Sequence, residues 1–387
     1  MATQLSPSTK ARRIPGGKLP CYVFDSGTEL ARHVARIVAA VIRERNALGQ
    51  AAVLGLPTGS TPVGVYRELI RMHREDGLDF SHVETFNLDE FYGIGPDQLQ
   101  SYRRWMREHF FDHVNIPERN IHIPDGNLPL SQVASFCADF ESQIERAGGI
   151  DLMILGIGRN GHIGFNEPFS ARESRTRLCT LDTVTRKSAA SDFFGFENVP
   201  AQAITMGMDT ILEAKKILLL ALGEHKSSII RSTVEGPVTE RIPASFLQDH
   251  ADVIVLADTA ASKDLTGCAT PWLLGSVEWI RPMIKRAVLW LAEKTGKACL
   301  KLDDADFLEH GLHELLRDHG PAERVAHQVF RMMMDTINYH PGGTEKKRII
   351  CFSPHPDDDV ISMGGTLIRL VERSEEHTSE LQSRGLI

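Results

Sequence analysis

His162 stands in a run where polar groups crowd together beside an apolar segment: Asp-Leu-Met-Ile-Leu-Gly-Ile-Gly-Arg-Asn-Gly-His-Ile-Gly-Phe-Asn-Glu-Pro, residues 151–168. An imidazole passes protons near neutral pH, and a nearby carboxylate stabilises its charged form. Asn160, Asn166 and Glu167 are the polar neighbours. Gly156, Gly158 and Gly161 let the backbone turn sharply and approach a ligand. The apolar run Asp151 to Ile157 has the continuity of a strand buried on both faces of a parallel sheet. The polar cluster therefore falls just past a strand's C-terminal end, where open α/β sheets place their ligands.

The same three glycines satisfy G-x-G-x-x-G. A dinucleotide site requires a helix to open directly after the turn, with its N-terminus on the pyrophosphate. His162, Gly164, Asn166 and Pro168 make a poor helix start, so a nicotinamide site is set aside. A glycine turn carrying a hydrogen-bonded core histidine is the other reading, and the run alone does not choose between it and catalysis.

The rest of the chain supplies elements to hold this cluster. Residues 28–46 carry apolar positions at helical spacing (Leu30, Val34, Ile37, Val38, Val41, Ile42) and lead into a short apolar strand, 51–56. This β-α-β opening and its repetition downstream predict a doubly wound, mostly parallel α/β domain with flanking helices. After that strand, Thr58, Gly59, Ser60 and Thr61 place hydroxyls and amides at a helix start, an anion cradle without the lysine of a nucleotide loop. A capped tight turn is the plainer reading of those residues. The strand 83–87 ends at Asp89, either a turn cap or a carboxylate at the ligand edge. Helices are expected over 99–113, over 131–147 with Ser131 as cap, and over 226–234. Lys226 thus lies at a helix start, where its charge adds to the dipole in favouring an anion. A last strand at 252–257 and a helical turn at 260–266 close the domain.

Gly-His-Ile-Gly-Phe-Asn-Glu-Pro (161–168), Gly-Leu-Pro-Thr-Gly-Ser-Thr-Pro (55–62) and Phe-Asn-Leu-Asp-Glu-Phe (86–91) together resemble the glucosamine-6-phosphate deaminase family over roughly residues 21–266. The resemblance implies a cofactor-free enzyme of the hydrolase class that converts glucosamine 6-phosphate and water to fructose 6-phosphate and ammonia. It implies that Asp89 moves a proton between C2 and C1, that His162 opens the sugar ring, that Glu167 orients the imidazole and that Lys226 binds phosphate. Departures accompany it. Asn160 stands where well-known members carry an aspartate. Asp192 precedes Phe193 and Phe194 where the family places a phosphate-binding arginine, and Arg186 or Lys187 is the candidate substitute. Arg177 matches one basic residue of a regulatory phosphate site, but Cys179 replaces another. A 6-phosphogluconolactonase-type hydrolase and a sugar-phosphate sensor without turnover are the rival readings.

The 387-residue chain exceeds one ordinary core and carries a net charge of −8, against a broad nucleic-acid surface. Six scattered cysteines without a C-x-x-C pair read as reduced thiols of a cytoplasmic protein. No apolar run approaches the length of a membrane span. The expected partner is a small sugar phosphate, with a homo-oligomer left open. Residues 1–20 read as a flexible arm, 267–340 as a helical connector and 341–347 as a linker.

Residues 348–353 then begin a new strand, followed by Pro354-His355-Pro356-Asp357-Asp358-Asp359. This resembles the opening of the PIG-L/LmbE family of zinc-dependent deacetylases. By that resemblance His355 and Asp358 are metal ligands and Asp357 the base acting on a metal-bound water, with zinc expected only in a complete domain. Residues 348–372 are read as the N-terminal fragment of such a truncated α/β domain. Residues 373–387 resemble the translation of a sequencing adapter, and no function is expected of them.

Overall fold

The structure is a computed structural model that describes residues 11–337, 348–353 and 376–381. The chain forms two compact units, 1–275 and 276–387.

In the first unit the elements run β1 (Arg12–Ile14), β2 (Cys21–Phe24), α1 (Gly27–Ala47), β3 (Ala52–Leu56), α2 (Val63–Asp76), β4 (Val83–Asn87), β5 (Asp89–Phe91) and α3 (Tyr102–His109). They continue through β6 (Ile121–His122), α4 (Leu130–Arg146), β7 (Leu152–Gly156), β8 (Arg177–Thr180), α5 (Thr183–Ala189), β9 (Gln202–Thr205) and α6 (Met208–Leu212). The unit ends with β10 (Ile217–Ala221), α7 (Ser227–Glu235), β11 (Val253–Asp258) and α8 (Thr266–Ala269). Eight strands form one sheet in the order β1-β2-β11-β10-β7-β3-β4-β6, parallel except for β1 at the edge.

The central strands are apolar on both faces because both are covered. Leu54, Leu152, Ile154, Leu218 and Leu220 pack with α1, α2 and α3, including Leu30, Val34, Val38, Leu69 and Met106. Their alternating neighbours Val53, Met153, Leu155, Leu219 and Val255 pack on the other face with Phe140, Ile211 and Ile230 of α4, α6 and α7. Period-two alternation thus builds two cores from one sheet. The doubly wound fold read from the sequence is the fold observed. From β3 the chain winds outward through β4 and β6; at β7 it returns beside β3 and winds the other way through β10 and β11. The switch point lies between β3 and β7. A separate antiparallel sheet, β5-β9-β8, begins just past the C-terminal end of β4.

Several sequence expectations are corrected. Residues 12–14, within the stretch read as a flexible arm, form the edge strand β1, with Ile14 and Leu19 buried in the core. Two exposed arginines in a three-residue strand left no alternation to read. Ser131 lies inside α4, whose N-cap position is Pro129. Lys226 belongs to a 3-10 turn (Glu224–Lys226) just before α7.

The second unit contains α9 (Arg281–Thr295), α10 (Asp304–Glu309), α11 (His313–His319) and α12 (Ala322–Ile337), with Ile284, Val288, Leu291, Phe307, Leu315, Val325 and Val329 buried. The chain turns between α10 and α11 at Gly311, which adopts φ of 76°. β12 (Arg348–Ser353) pairs in parallel with β13 (Glu376–Leu381), the latter within the adapter-like stretch. His355, Asp357 and Asp358 lie outside the described residues. Among the described residues, no helix is long and apolar enough to cross a membrane, and five cysteines are free thiols.

Candidate active site

Four strands of the parallel sheet deliver their C-terminal loops to one cleft of about 370 Å³ at the switch point. The loop after β3 brings Thr58, Gly59, Ser60 and Thr61, the end of β4 leads into Asp89, the loop after β7 brings His162, and the turn after β10 brings Lys226. These residues all line the cleft. Asn160 and Glu167 stand behind the imidazole, outside the cleft lining.

The turn after β7 is shaped to seat His162. A Cβ on Gly158 would lie 2.2–2.4 Å from three imidazole atoms, so the ring packs directly on bare backbone. Gly161 adopts φ of 86° and reverses the chain between Asn160 and His162. Behind the ring, Nδ1 lies 2.7 Å from Asn160 Oδ1, 3.1 Å from Thr185 Oγ1 and 3.4 Å from Glu167 Oε2. Asn160 Nδ2 in turn donates to Glu167 Oε2 at 2.8 Å. The amide therefore bridges imidazole and carboxylate, accepting from one and donating to the other. With Nδ1–H pointing back, Nε2 is the nitrogen left without a protein partner. Burial raises the Glu167 carboxyl, but bonds from His162, Thr185 and Asn160 outweigh it, and the net displacement is downward. Glu167 is thus held ionised.

Asp89 differs from an ordinary carboxylate. Its residue is 7% exposed, and burial together with the neighbouring Glu90 carboxylate pushes it up to about 8. Glu90 is fixed by the Ser101 hydroxyl and by the backbone N–H groups of Phe91, Tyr102 and Arg103, so it anchors the first turn of α3. Tyr102, the first residue of that helix, lines the cleft and shares a hydrogen bond with Thr58. One buried carboxylate thereby raises the proton affinity of Asp89 and ties α3 to the cradle.

Lys226 is half-buried, and burial together with the Arg159 charge pulls it down to about 8. Its ammonium donates to Ile157 O at 2.6 Å. Arg159, His225, Thr185 and Tyr102 were missed by sequence reasoning. A lone arginine or histidine in a glycine-rich loop reads as solvated charge, and nothing in the sequence says which way it faces. Asp192 lines the cleft, and the expected substitutes for the missing arginine do not. Arg186 lies over the Phe196 ring, 4.4 Å from its centroid, and donates to Val199 O, and neither it nor Lys187 lines the cleft. Arg177 donates to Asn166 Oδ1 at 2.9 Å and Ser170 Oγ at 3.2 Å and also lies outside the cleft lining. Among the described residues no group of three or more His, Cys, Asp or Glu is placed to hold a metal ion.

A doubly wound sheet that gathers an imidazole relay, a proton-retaining carboxyl and a basic, amide-lined pocket at its switch point defines a class: α/β proteins built for proton transfer on a small anionic ligand. The chain belongs to the family described as glucosamine-6-phosphate isomerases/6-phosphogluconolactonase, whose profile matches residues 25–256. A glucosamine-6-phosphate deaminase-like protein of Bacteroides thetaiotaomicron is 45% identical over 373 residues, 93% of this chain, and the chain spans 56% of that relative's length. Glucosamine-6-phosphate deaminase 2 of Bacillus subtilis is 49% identical over 235 residues, 60% of this chain and 93% of that protein. The solved structure of a monomeric glucosamine-6-phosphate deaminase superposes with a TM-score of 0.61 at 41% identity, covering 63% of this chain and 99% of the other.

Proposed function

We propose that the chain is a glucosamine-6-phosphate deaminase, releasing fructose 6-phosphate and ammonia from glucosamine 6-phosphate and water. The observation that carries this reading is the placement of His162 and Asp89 in one cleft, the first with a backed imidazole and the second with a carboxyl held up to about 8. His162 protonates the ring oxygen and opens the pyranose, while Asn160 and Glu167 hold the imidazole in place. Asp89 as carboxylate removes the C2 proton of the open chain and returns it at C1, so the C2 amine becomes an imine. Water adds to that imine and ammonia leaves. Side chains alone supply these proton transfers, and general acid–base groups of this kind contribute about 10²- to 10⁴-fold each.

Thr58 to Thr61 at the start of α2 and Lys226 bind the phosphate end. A lactonase has no need of a base at C2, which sets Asp89 against the 6-phosphogluconolactonase reading. The test is release of ammonia and fructose 6-phosphate in equal amounts from glucosamine 6-phosphate, with 6-phosphogluconolactone as the counter-substrate. Calorimetric binding without release identifies a sensor instead and overturns the enzyme. Arg177, tied to Asn166 beside Glu167, remains the proposed contact for a regulatory phosphate. The cytoplasm is the proposed compartment.

The motif at 354–359 supports a separate reading for the region from Arg348, the start of a deacetylase-like domain in which His355 and Asp358 would hold zinc and Asp357 would activate water once the domain is complete. Zinc analysis and acetate release from an N-acetylated amino sugar, measured on a protein carrying the complete domain, test it, and absence of both overturns it.

A further inference from the structure

Two cations face the cleft without a counter-ion. Arg159 lines it, yet makes no ion pair or side-chain hydrogen bond with any described residue. Lys226 lines it too and spends one N–H on Ile157 O, leaving two donors unassigned and no carboxylate partner. His225, on the same turn, is the third basic group at this end. The charges sense each other: Lys226 is lowered first by burial and then by Arg159, and His225 first by burial and then by Lys226 and Arg159. Gathering like charges in a half-buried cleft is unfavourable unless an anion arrives to offset it.

The acidic residues lining the cleft are Asp89, at the start of β5, and Asp192, neither of them on the loops after β7 and β10. Asp192, which follows α5, lines the cleft with its carboxylate paired to no cation among the described residues, while Gln100 donates to its backbone oxygen at 3.4 Å. An anionic group is therefore repelled from the α5 side and drawn to the loops after β7 and β10.

We propose that Arg159, together with Lys226, forms the seat of the substrate's phosphate, and that Arg159 is a specificity-determining residue for phosphorylated over unphosphorylated sugars. The inference rests on the deaminase reading and names the residue that selects its substrate. The planar guanidinium grips two phosphate oxygens while the ammonium supplies a point charge, and the amides after β3 complete the cradle. Placing one phosphate between the two cations also removes their mutual repulsion, so binding draws on both.

The test is steady-state kinetics with glucosamine 6-phosphate, and inorganic phosphate as competitive inhibitor, for the full chain and its Arg159→Gln and Arg159→Lys variants. R159Q is expected to raise KM about 10- to 100-fold and the phosphate inhibition constant in step, with kcat within about threefold, and R159K to recover part of both. Unchanged KM and unchanged phosphate inhibition in R159Q overturn the proposal, as does a fall in kcat alone. Calorimetric titration of inorganic phosphate into the same proteins reads the site without turnover. A wild type that binds phosphate through Arg159 but releases no ammonia sinks the deaminase reading and leaves the anion seat standing.

Discussion

Asn160 satisfies two partners at once, and that determines what an aspartate would do there. Its oxygen accepts from His162 Nδ1 and its amide donates to Glu167 at 2.8 Å. An aspartate keeps the first bond but sets a second carboxylate against Glu167, while adding negative charge behind the imidazole. Asn160→Asp is expected to raise kcat up to about 10-fold with KM within about threefold, read by steady-state kinetics. An unchanged kcat means that Asn160 does not govern the imidazole. Asp89 and Lys226 set a pH dependence. Each lies near 8, but Asp89 must lose its proton to act as base, whereas Lys226 must keep its proton to hold phosphate. The free protein is therefore expected to show a narrow bell in kcat/KM around pH 8, and Lys226→Arg, which stays charged, to lift the alkaline limb and widen it. A profile flat from pH 7 to 9 contradicts both assignments. At this scale the sequence was legible at His162 and Asp89 as polar positions past strand ends, with their roles implied by the family resemblance. It was silent at Arg159 and Asp192, since the side on which a charged side chain lies depends on the fold.

The turn after β7 decides whether the imidazole can take its place at all. Gly158 lies so close under the ring that any side chain displaces it, whereas the backbone there needs no left-handed conformation. Gly158→Ala is expected to lower kcat at least about 10²-fold while the unfolding temperature moves by only a few degrees, which activity and calorimetry measure together. A kcat near that of the wild type means that the ring does not need its present seat. The elements themselves were readable in proportion to their apolar content. β7 and β10 are continuous apolar runs, and α1 carries a full apolar stripe, so their places follow from periodicity. Element ends were less readable. Ser131 is a good cap by type but lies inside α4, because the helix is entered two residues earlier, at Pro129. The edge strand β1 owes its place to pairing with β2, a long-range contact that three residues cannot announce.

All residues lining the cleft fall between Pro57 and Lys226, within the first unit and its two cores. A fragment of residues 11–275 is therefore expected to fold alone and to keep the KM of the full chain within about threefold, as kinetics on the purified fragment would show. A folded fragment without activity means that the helices from Ser276 onward contribute to the site. Fold class was legible in the sequence because alternating strands and helices imply a wound parallel sheet, whereas the switch point between β3 and β7 is set by the strand order, which appears only in the fold. The helical second unit was legible only as helix, since its amphipathic stretches name no chemistry. The central claim joins these scales: one cleft, two proton-transfer groups, one phosphorylated amino sugar. It is tested most directly by ammonia and fructose 6-phosphate release from glucosamine 6-phosphate at pH 8 for the wild type, Asp89→Asn and His162→Gln. The expected result is turnover by the wild type and losses of about 10²- to 10⁴-fold in both folded variants; a folded wild type without release, or variants that match it, contradicts the account.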